Sequence, residues 1–249
     1  MGNSENDSRM IKLTVEYDGT EFSGWQIQPN RRTVQGEIEN SLKTLTQEKV
    51  RVVGSGRTDA GVHALGQVVS FRCRSGLPLP TFEKGLNGLL PEDIRIVRAE
   101  ELGSSFNARR DAVSRTYRYL LSKRPRAVDR QYVWYPRMTF SVGPMEQASK
   151  YLLGAHDFAA FCKSNGEDKD FTSRVFSVDW NEDDDEICFE ITAMRFFHNM
   201  VRVIVGTLLE VGRGRTTPEG FREILESRDR RQAGPTVPPH GLYLARVDF

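Results

Sequence analysis

The sequence predicts an α+β fold built of two ferredoxin-like halves with mainly antiparallel sheets. Three observations predict it. Apolar residues alternate with period two in several short runs and recur at four-residue spacing in others. These runs follow one another in the order β-α-β-β-α-β, the split βαβ pattern, and a similar succession then begins again. A length of 249 residues also suits one large or two small domains at roughly 150 residues each. The expected domains are residues 9–107 and 108–249, with the boundary near Asn107 to Asp111. The duplication is one of pattern only, because no residue-level repeat accompanies it.

The first strand is read from Ile11, Leu13, Val15 and Tyr17, with Lys12, Thr14 and Glu16 on the other face. A helix follows, because Val34, Ile38 and Leu42 recur at four-residue spacing behind Thr33, a good N-cap. A short strand near 51–53, a glycine-rich loop and a strand near 67–73 come next. A helix near 82–90 is stopped by Pro91, and Ile94 and Ile96 mark a fourth strand. In the second half the pattern predicts strands near 114–121, 174–180 and 187–193 and helices near 145–153, from His198 and after Pro218. A last strand covers 242–247.

Composition excludes several classes. With 38% hydrophobic and 28% charged residues the chain reads as globular rather than disordered or fibrous. The most apolar stretch, Phe196 to Val211, carries His198, Asn199, Arg202 and Glu210, whereas a membrane span needs about 20 nearly uncharged residues. Cys73, Cys162 and Cys188 are odd in number and never form a C-x-x-C pair, which argues against a disulfide framework or a zinc cage. Met1 to Arg9 lacks the apolar core of a signal peptide, and Asn6 stands where a myristoylation signal needs Ser or Thr. A cytoplasmic location is therefore expected.

Net charge is +1, so any polyanion binding must come from local arrangement. Nine basic residues between Arg109 and Arg137 stand against Asp111 and Asp129, while the balance reverses from Asn165 to Glu190, with Asp183, Asp184, Asp185 and Glu186 in a row. An electrostatically two-sided molecule is expected, its acidic run a solvated hairpin turn.

The most unusual segment is Gly54-Ser55-Gly56-Arg57-Thr58-Asp59-Ala60-Gly61-Val62-His63-Ala64, between two expected strands. Its glycines permit positive φ and close approach of a backbone or ligand. No Lys-Ser/Thr follows the last glycine, which excludes a P-loop. Gly54-x-Gly56 lacks a third glycine in register and opens no helix, which excludes a dinucleotide fingerprint. Taken alone, Asp59 reads as a turn residue capping a backbone amide. His63, His156, His198 and His240 stand singly, so no metal site is expected. The chain has no G-x-S-x-G elbow.

Gly56 to Ala64 resembles the active-site motif of the TruA-type tRNA pseudouridine synthases, which modify positions 38 to 40 of the anticodon arm. The likeness continues through Tyr17-Asp18-Gly19-Thr20, Gly24-Trp25-Gln26, Thr33-Val34-Gln35-Gly36, Leu86-Asn87, Leu90-Pro91 and Phe106-Asn107-Ala108-Arg109. It resumes in Arg115-Thr116-Tyr117-Arg118-Tyr119, His156-Asp157-Phe158, Met200 to Gly206, Gly234-Pro235-Thr236 and Gly241-Leu242-Tyr243. Coverage runs from about Ile11 to the C-terminus. Departures are small: Val237-Pro238-Pro239 differs from the commoner Ala-Pro-Ala, and Arg124 to Arg130 lies where the family varies.

The resemblance implies an isomerase that breaks the N1 to C1′ bond of uridine, turns the base and joins C5 to the same carbon. It implies no cofactor and no metal, a central cleft flanked by the two halves, a tRNA anticodon stem-loop as partner, no membrane, and a homodimer. Asp59 is implied as the catalytic carboxylate, acting as nucleophile or as base. Tyr117 would stack on the flipped base; without the family it reads as a core aromatic beside Tyr119. Arg202 would pair with the catalytic Asp and keep it ionised; it is otherwise an odd charge in an apolar helix. Arg57 would fill the space left by the flipped nucleotide. Phe106, Asn107, Ala108, Arg109 and Arg110 would hold the tRNA backbone. Val205 and Leu242 are expected to pack.

Two other classes compete. A non-catalytic RNA-binding protein would use ferredoxin-like sheets as a platform, yet no RNP1-like string is present. A metal-dependent nuclease using Asp59 lacks clustered carboxylates.

Overall fold

The computed structural model describes residues 8–163 and 170–249. The reading of Met1 to Asp7, and the part of the acidic stretch from Asn165 to Lys169, lie outside the described residues. The chain is α+β. By chain order of the strands, the pairings of the first with the third and fourth, the second with the third, the fifth with the eighth and the seventh with the sixth and eighth are antiparallel, with an isolated parallel bridge between Leu121 and Trp134. It forms two units: residues 8–113 with Leu244–Phe249, and Ser114–Tyr243.

In the first unit the order is β1 (Arg9–Tyr17), α1 (Val34–Thr46), β2 (Val53–Gly54), β3 (His63–Cys73), α2 (Leu79–Leu89) and β4 (Ile94–Leu102). β1 lies between β3 and β4, and β2 pairs with β3. Alternation along β1 buries Ile11, Leu13, Val15 and Tyr17, as its pattern requires. Thr33 caps α1, its side chain accepting from the Gly36 amide at 3.3 Å. α2 starts earlier than the apolar spacing indicates, because Pro80 in its first turn needs no donor and fixes a helical φ.

The second unit runs β5 (Ser114–Ser122), α3 (Val142–Ser149), β6 (Gly154–Asp157), β7 (Thr172–Glu182), β8 (Glu186–Ala193), α4 (Met200–Gly212) and α5 (Pro218–Ser227). Its strands lie in the order β5-β8-β7-β6. β6 has no counterpart in the sequence reading. The α4 helix is buried along most of its length, including Val205. Segment 234–237 lies hard against it: a Cβ at Gly206 would come within 1.8 Å of the Pro235 carbonyl oxygen, so only glycine allows this approach. Leu242 is buried too.

The last strand, β9 (Leu242–Asp248), was expected with the second domain, but residues from Leu244 onward belong to the first unit. There it lies beside β3, so close at Gly66 that a Cβ would sit 2.7 Å from the Ala245 carbonyl oxygen.

The expected two-sided charge distribution is overturned. β5 and β8 are paired in register, with Arg118 opposite Glu190 and Ser122 opposite Glu186. That register sets the basic stretch against the acidic one. Arg118 pairs with Glu190, Lys123 with Glu182 at 2.6 Å, Arg124 with Asp185 at 2.8 Å and Arg126 with Glu186 at 2.6 Å. The acidic run does form the β7–β8 hairpin turn, where Asp183 Oδ1 accepts from the amides of Asp185 and Glu186.

Candidate active site

The Asp59 loop joins β2 to β3 in the first unit, and nearly every neighbour of Asp59 is held. Ser55 N donates to the Val68 carbonyl at 2.8 Å, and Ser55 Oγ to Gln67 Oε1 at 2.7 Å. Gln67 Nε2 donates back to the Gly56 carbonyl at 2.9 Å. On the far side of Arg57, Trp25 N donates to the Thr58 carbonyl at 3.1 Å, and the Thr58 and Tyr17 hydroxyls lie 2.7 Å apart. Tyr17, Trp25, Ser55, Thr58 and Gln67 are all buried. Burial drives the Tyr17 phenol well above its ordinary range, so it stays neutral and available as a hydrogen-bond partner.

Two close approaches fix the loop further. Gly24, at φ +91°, would place a Cβ 2.8 Å from the Thr58 carbonyl oxygen, and a Cβ on Gly19 would strike the Val62 carbonyl oxygen at 2.0 Å. Gly61 is also at positive φ. The turn closes with Val62 N donating to the Asp59 carbonyl at 3.2 Å. Asp59 is half-buried. Arg57 is exposed, and among the described residues its guanidinium has no partner. A rigid loop thus presents a carboxylate and a cation two residues apart.

His63 belongs to the scaffold. Its Nδ1 accepts from Gly19 N at 3.0 Å and lies 3.1 Å from Asp18 Oδ1. Asp18 Oδ1 also accepts from the amide and hydroxyl of Thr20. Among the described residues no group of His, Cys, Asp and Glu could hold a metal ion.

The segment Phe106 to Arg110 is in the same unit but elsewhere along it. Ala108 is fully buried, its amide donating to Ser70 Oγ on β3 at 3.0 Å. Ser70 is seven residues from His63, where β3 leaves the Asp59 loop, a distance of roughly 20 Å along a strand. Asn107 Oδ1 accepts from the amides of Arg109 and Arg110, making a rigid turn, and Phe106 packs on Phe249 with ring centres 5.1 Å apart. Arg110 is bound to Asp111 at 2.7 Å, and this contact lowers the Asp111 carboxyl below its usual range.

Tyr117 and Arg202 lie in the second unit. Tyr117, on β5, is buried, edge-on to Phe196 with ring centres 4.9 Å apart. Arg202, in the first turn of α4, donates from Nε to the Val237 carbonyl at 2.7 Å and from Nη1 to Asn199 Oδ1 at 2.9 Å. Its guanidinium is therefore oriented by backbone and side chain together. Tyr119, one residue along from Arg118, is a core residue whose hydroxyl donates to the Pro238 carbonyl at 2.8 Å. The sequence marks Tyr17 and Gln35 only as strand and motif residues and Gln67 only as a strand residue; their part in holding the loops is not read from it. A glutamine amid buried apolar neighbours, as Gln67 is in β3, is the signal that could have found one of them.

A family model described as tRNA pseudouridine synthase matches residues 13–131 and 148–249. A tRNA pseudouridine synthase A of Geotalea uraniireducens is 46% identical over 243 residues, covering 97% of this chain and 100% of the relative. That of Caldicellulosiruptor saccharolyticus is 45% identical over 244 residues, with the same coverage of each. That of Bacillus subtilis is 42% identical over 243 residues, covering 96% and 98%.

Proposed function

Because the chain belongs to the tRNA pseudouridine synthase family, we propose that it isomerises uridine to pseudouridine at positions 38 to 40 of the tRNA anticodon stem-loop, with Asp59 as the catalytic carboxylate. The observation that carries the assignment of Asp59 is its loop, immobilised on both sides by buried hydrogen bonds while Arg57 stays exposed. Preorganisation of this kind serves a reaction in which a carboxylate must meet one sugar carbon.

In the reaction the N1 to C1′ bond breaks, the base turns within its pocket, and C5 bonds to C1′. C5 then loses its proton and N1 gains one, so the product is an isomer and no external reactant is consumed. Asp59 either attacks C1′ and is later displaced, or takes a sugar proton and returns it. Arg57 takes the place of the extruded nucleotide in the stack, a task for a planar cation. Tyr117 stacks on the flipped uracil and Arg202 is the second substrate-binding cation. Phe106 to Arg110 holds backbone further along the RNA. The enzyme works in the cytoplasm as a homodimer, since a tRNA spans more surface than a 28.3 kDa chain offers.

The test is Asp59→Asn. The amide keeps the size of the side chain and the turn but is a far poorer nucleophile or base. Pseudouridine formation under single-turnover conditions is expected to vanish, while tRNA affinity measured on the same preparation stays within a few-fold. Appreciable turnover by the folded variant would return Asp59 to a structural role. Light scattering of the tag-free protein that gave only the monomer mass at micromolar concentration would remove the dimer.

A further inference from the structure

We propose that the loop from Ser23 to Arg32 is an additional tRNA-contact element, in which Arg31 takes a backbone phosphate near the target uridine. The inference rests on the function proposed above. It starts from two adjacent arginines with opposite fates. Arg32 makes paired hydrogen bonds to Asp93 at 2.7 and 2.9 Å, reaches Glu37 at 3.2 Å and lies 4.2 Å above the Phe22 ring. Those contacts occupy its Nε, Nη1 and Nη2 donors and set a ring against the guanidinium. Arg31 next to it is exposed, and among the described residues its guanidinium has no hydrogen bond, ion pair or ring contact.

The loop that carries Arg31 is ordered by its own bonds. Ser23 N donates to the Arg32 carbonyl at 2.9 Å, closing the ends, and Gln28 Nε2 donates to the Ser23 carbonyl at 2.8 Å. The buried Gln35 side chain accepts from Gln26 Nε2 at 2.8 Å and from Ile27 N at 3.2 Å. Arg31 N reaches the Gln28 carbonyl at 3.3 Å, and Asn30 adopts φ 56° to make the tip. This is a compact loop with adjacent ends, a form frequently put to functional use. All six residues from Ile27 to Arg32 are exposed.

The same loop is the wall of the Asp59 loop. Trp25 N holds the Thr58 carbonyl, and Gly24 packs against Thr58, Asp59 and Ala60 with no room for a Cβ. Arg31 and Arg57 therefore stand, both without partners among the described residues, on two loops fastened to each other at Thr58. A polyanion that brings a nucleotide to Asp59 comes against loops that each carry an exposed cation. Because the loop is already ordered, engaging it requires little further loss of freedom.

The experiment titrates wild type, Arg31→Ala, Arg31→Lys and Arg32→Ala with unmodified tRNA at several salt concentrations, alongside melting curves and a pseudouridine assay of the wild type. Arg31→Ala is expected to weaken binding about two- to fivefold, the range of an exposed ion pair. It should also flatten the dependence of log affinity on log salt by about one unit, with an unchanged melting temperature. Arg31→Lys should restore the slope, since charge and not the guanidinium fork sets it. Arg32→Ala should lower the melting temperature. Wild-type affinity and slope in Arg31→Ala, or a change of its mass by light scattering, would overturn the inference and leave the enzyme reading intact. A wild-type chain that binds with the Arg31-dependent slope but forms no pseudouridine would overturn the enzyme reading and leave the contact standing.

Discussion

The pair of hydroxyls beneath the Asp59 loop gives the most direct measure of how the fold serves the site. Tyr17 and Thr58 are 2.7 Å apart, with 3% and 7% exposure, so removing either oxygen strands the other where water cannot replace it. A stranded buried hydroxyl costs about 1 to 3 kcal/mol. Tyr17→Phe should fall within that range, because Thr58 Oγ1 loses the buried hydroxyl 2.7 Å away. Thr58→Val, close in shape, should cost about 1 to 2 kcal/mol. The double variant strands neither hydroxyl of the pair, so its loss should fall short of the sum by roughly 1 kcal/mol. Urea unfolding of the four proteins measures this. In single-turnover assays each single variant should lose at least about tenfold in rate, since a misplacement near 1 Å can cost about a hundredfold. Strictly additive stabilities would refute the coupling, and an unchanged rate in a folded Tyr17→Phe protein would refute its role in placing Asp59.

Two further expectations follow from packing and charge. Gly206→Ala places a methyl 1.8 Å from the Pro235 carbonyl oxygen, so α4 and segment 234–237 must part; a large fall in melting temperature is expected, and a melt within a degree or two of wild type would contradict the close approach. The carboxyls of Glu100 beside Lys12, Asp183 on its turn amides, Asp185 beside Arg124 and Asp229 beside Arg231 are all lowered, Asp229 to about 2. With folded values below unfolded ones, their contribution is present above the ordinary carboxylate range, near 4, and is lost as pH falls through and below it. Urea midpoints from pH 7 to 3 should therefore hold down to about 5 and then decline modestly, these groups being largely exposed; a decline beginning near neutrality would implicate other groups.

Local pattern carried the sequence reading where local physics decides. Alternation in β1, the Thr33 cap and the spacing of Val34, Ile38 and Leu42 each act over one element and appear in place. β6 was missed because its four residues, beginning with Gly154 at φ +98°, are too few to show a period. The Asp59 loop was legible as an unusual string of glycines, and the glycines do mark close approaches. What held it was not legible. The partners of Thr58 and Gly56 lie in β1, at Trp25 and in β3, and nothing in the local sequence names them. Tyr17 satisfied the alternation as one more core aromatic, which hid its hydroxyl.

Charge shows the same limit with a functional consequence. Counted along the chain, residues 109–137 offered a basic face. Counted in space, Arg110, Arg118, Lys123, Arg124 and Arg126 each have a carboxylate at hand, supplied for the last four by the acidic stretch that strand pairing folds onto them. An exposed ion pair releases fewer counterions to an approaching phosphate than a lone cation does, since its charge is already offset. For a chain of net charge +1, affinity for a polyanion must then come from cations that the fold leaves without an acid. Arg57 and Arg31 meet that condition among the described residues. They do so on two loops fastened to each other at Thr58. Density of basic residues along a sequence thus locates ion-pair ladders as readily as RNA contacts, and only the placement of the acids separates the two.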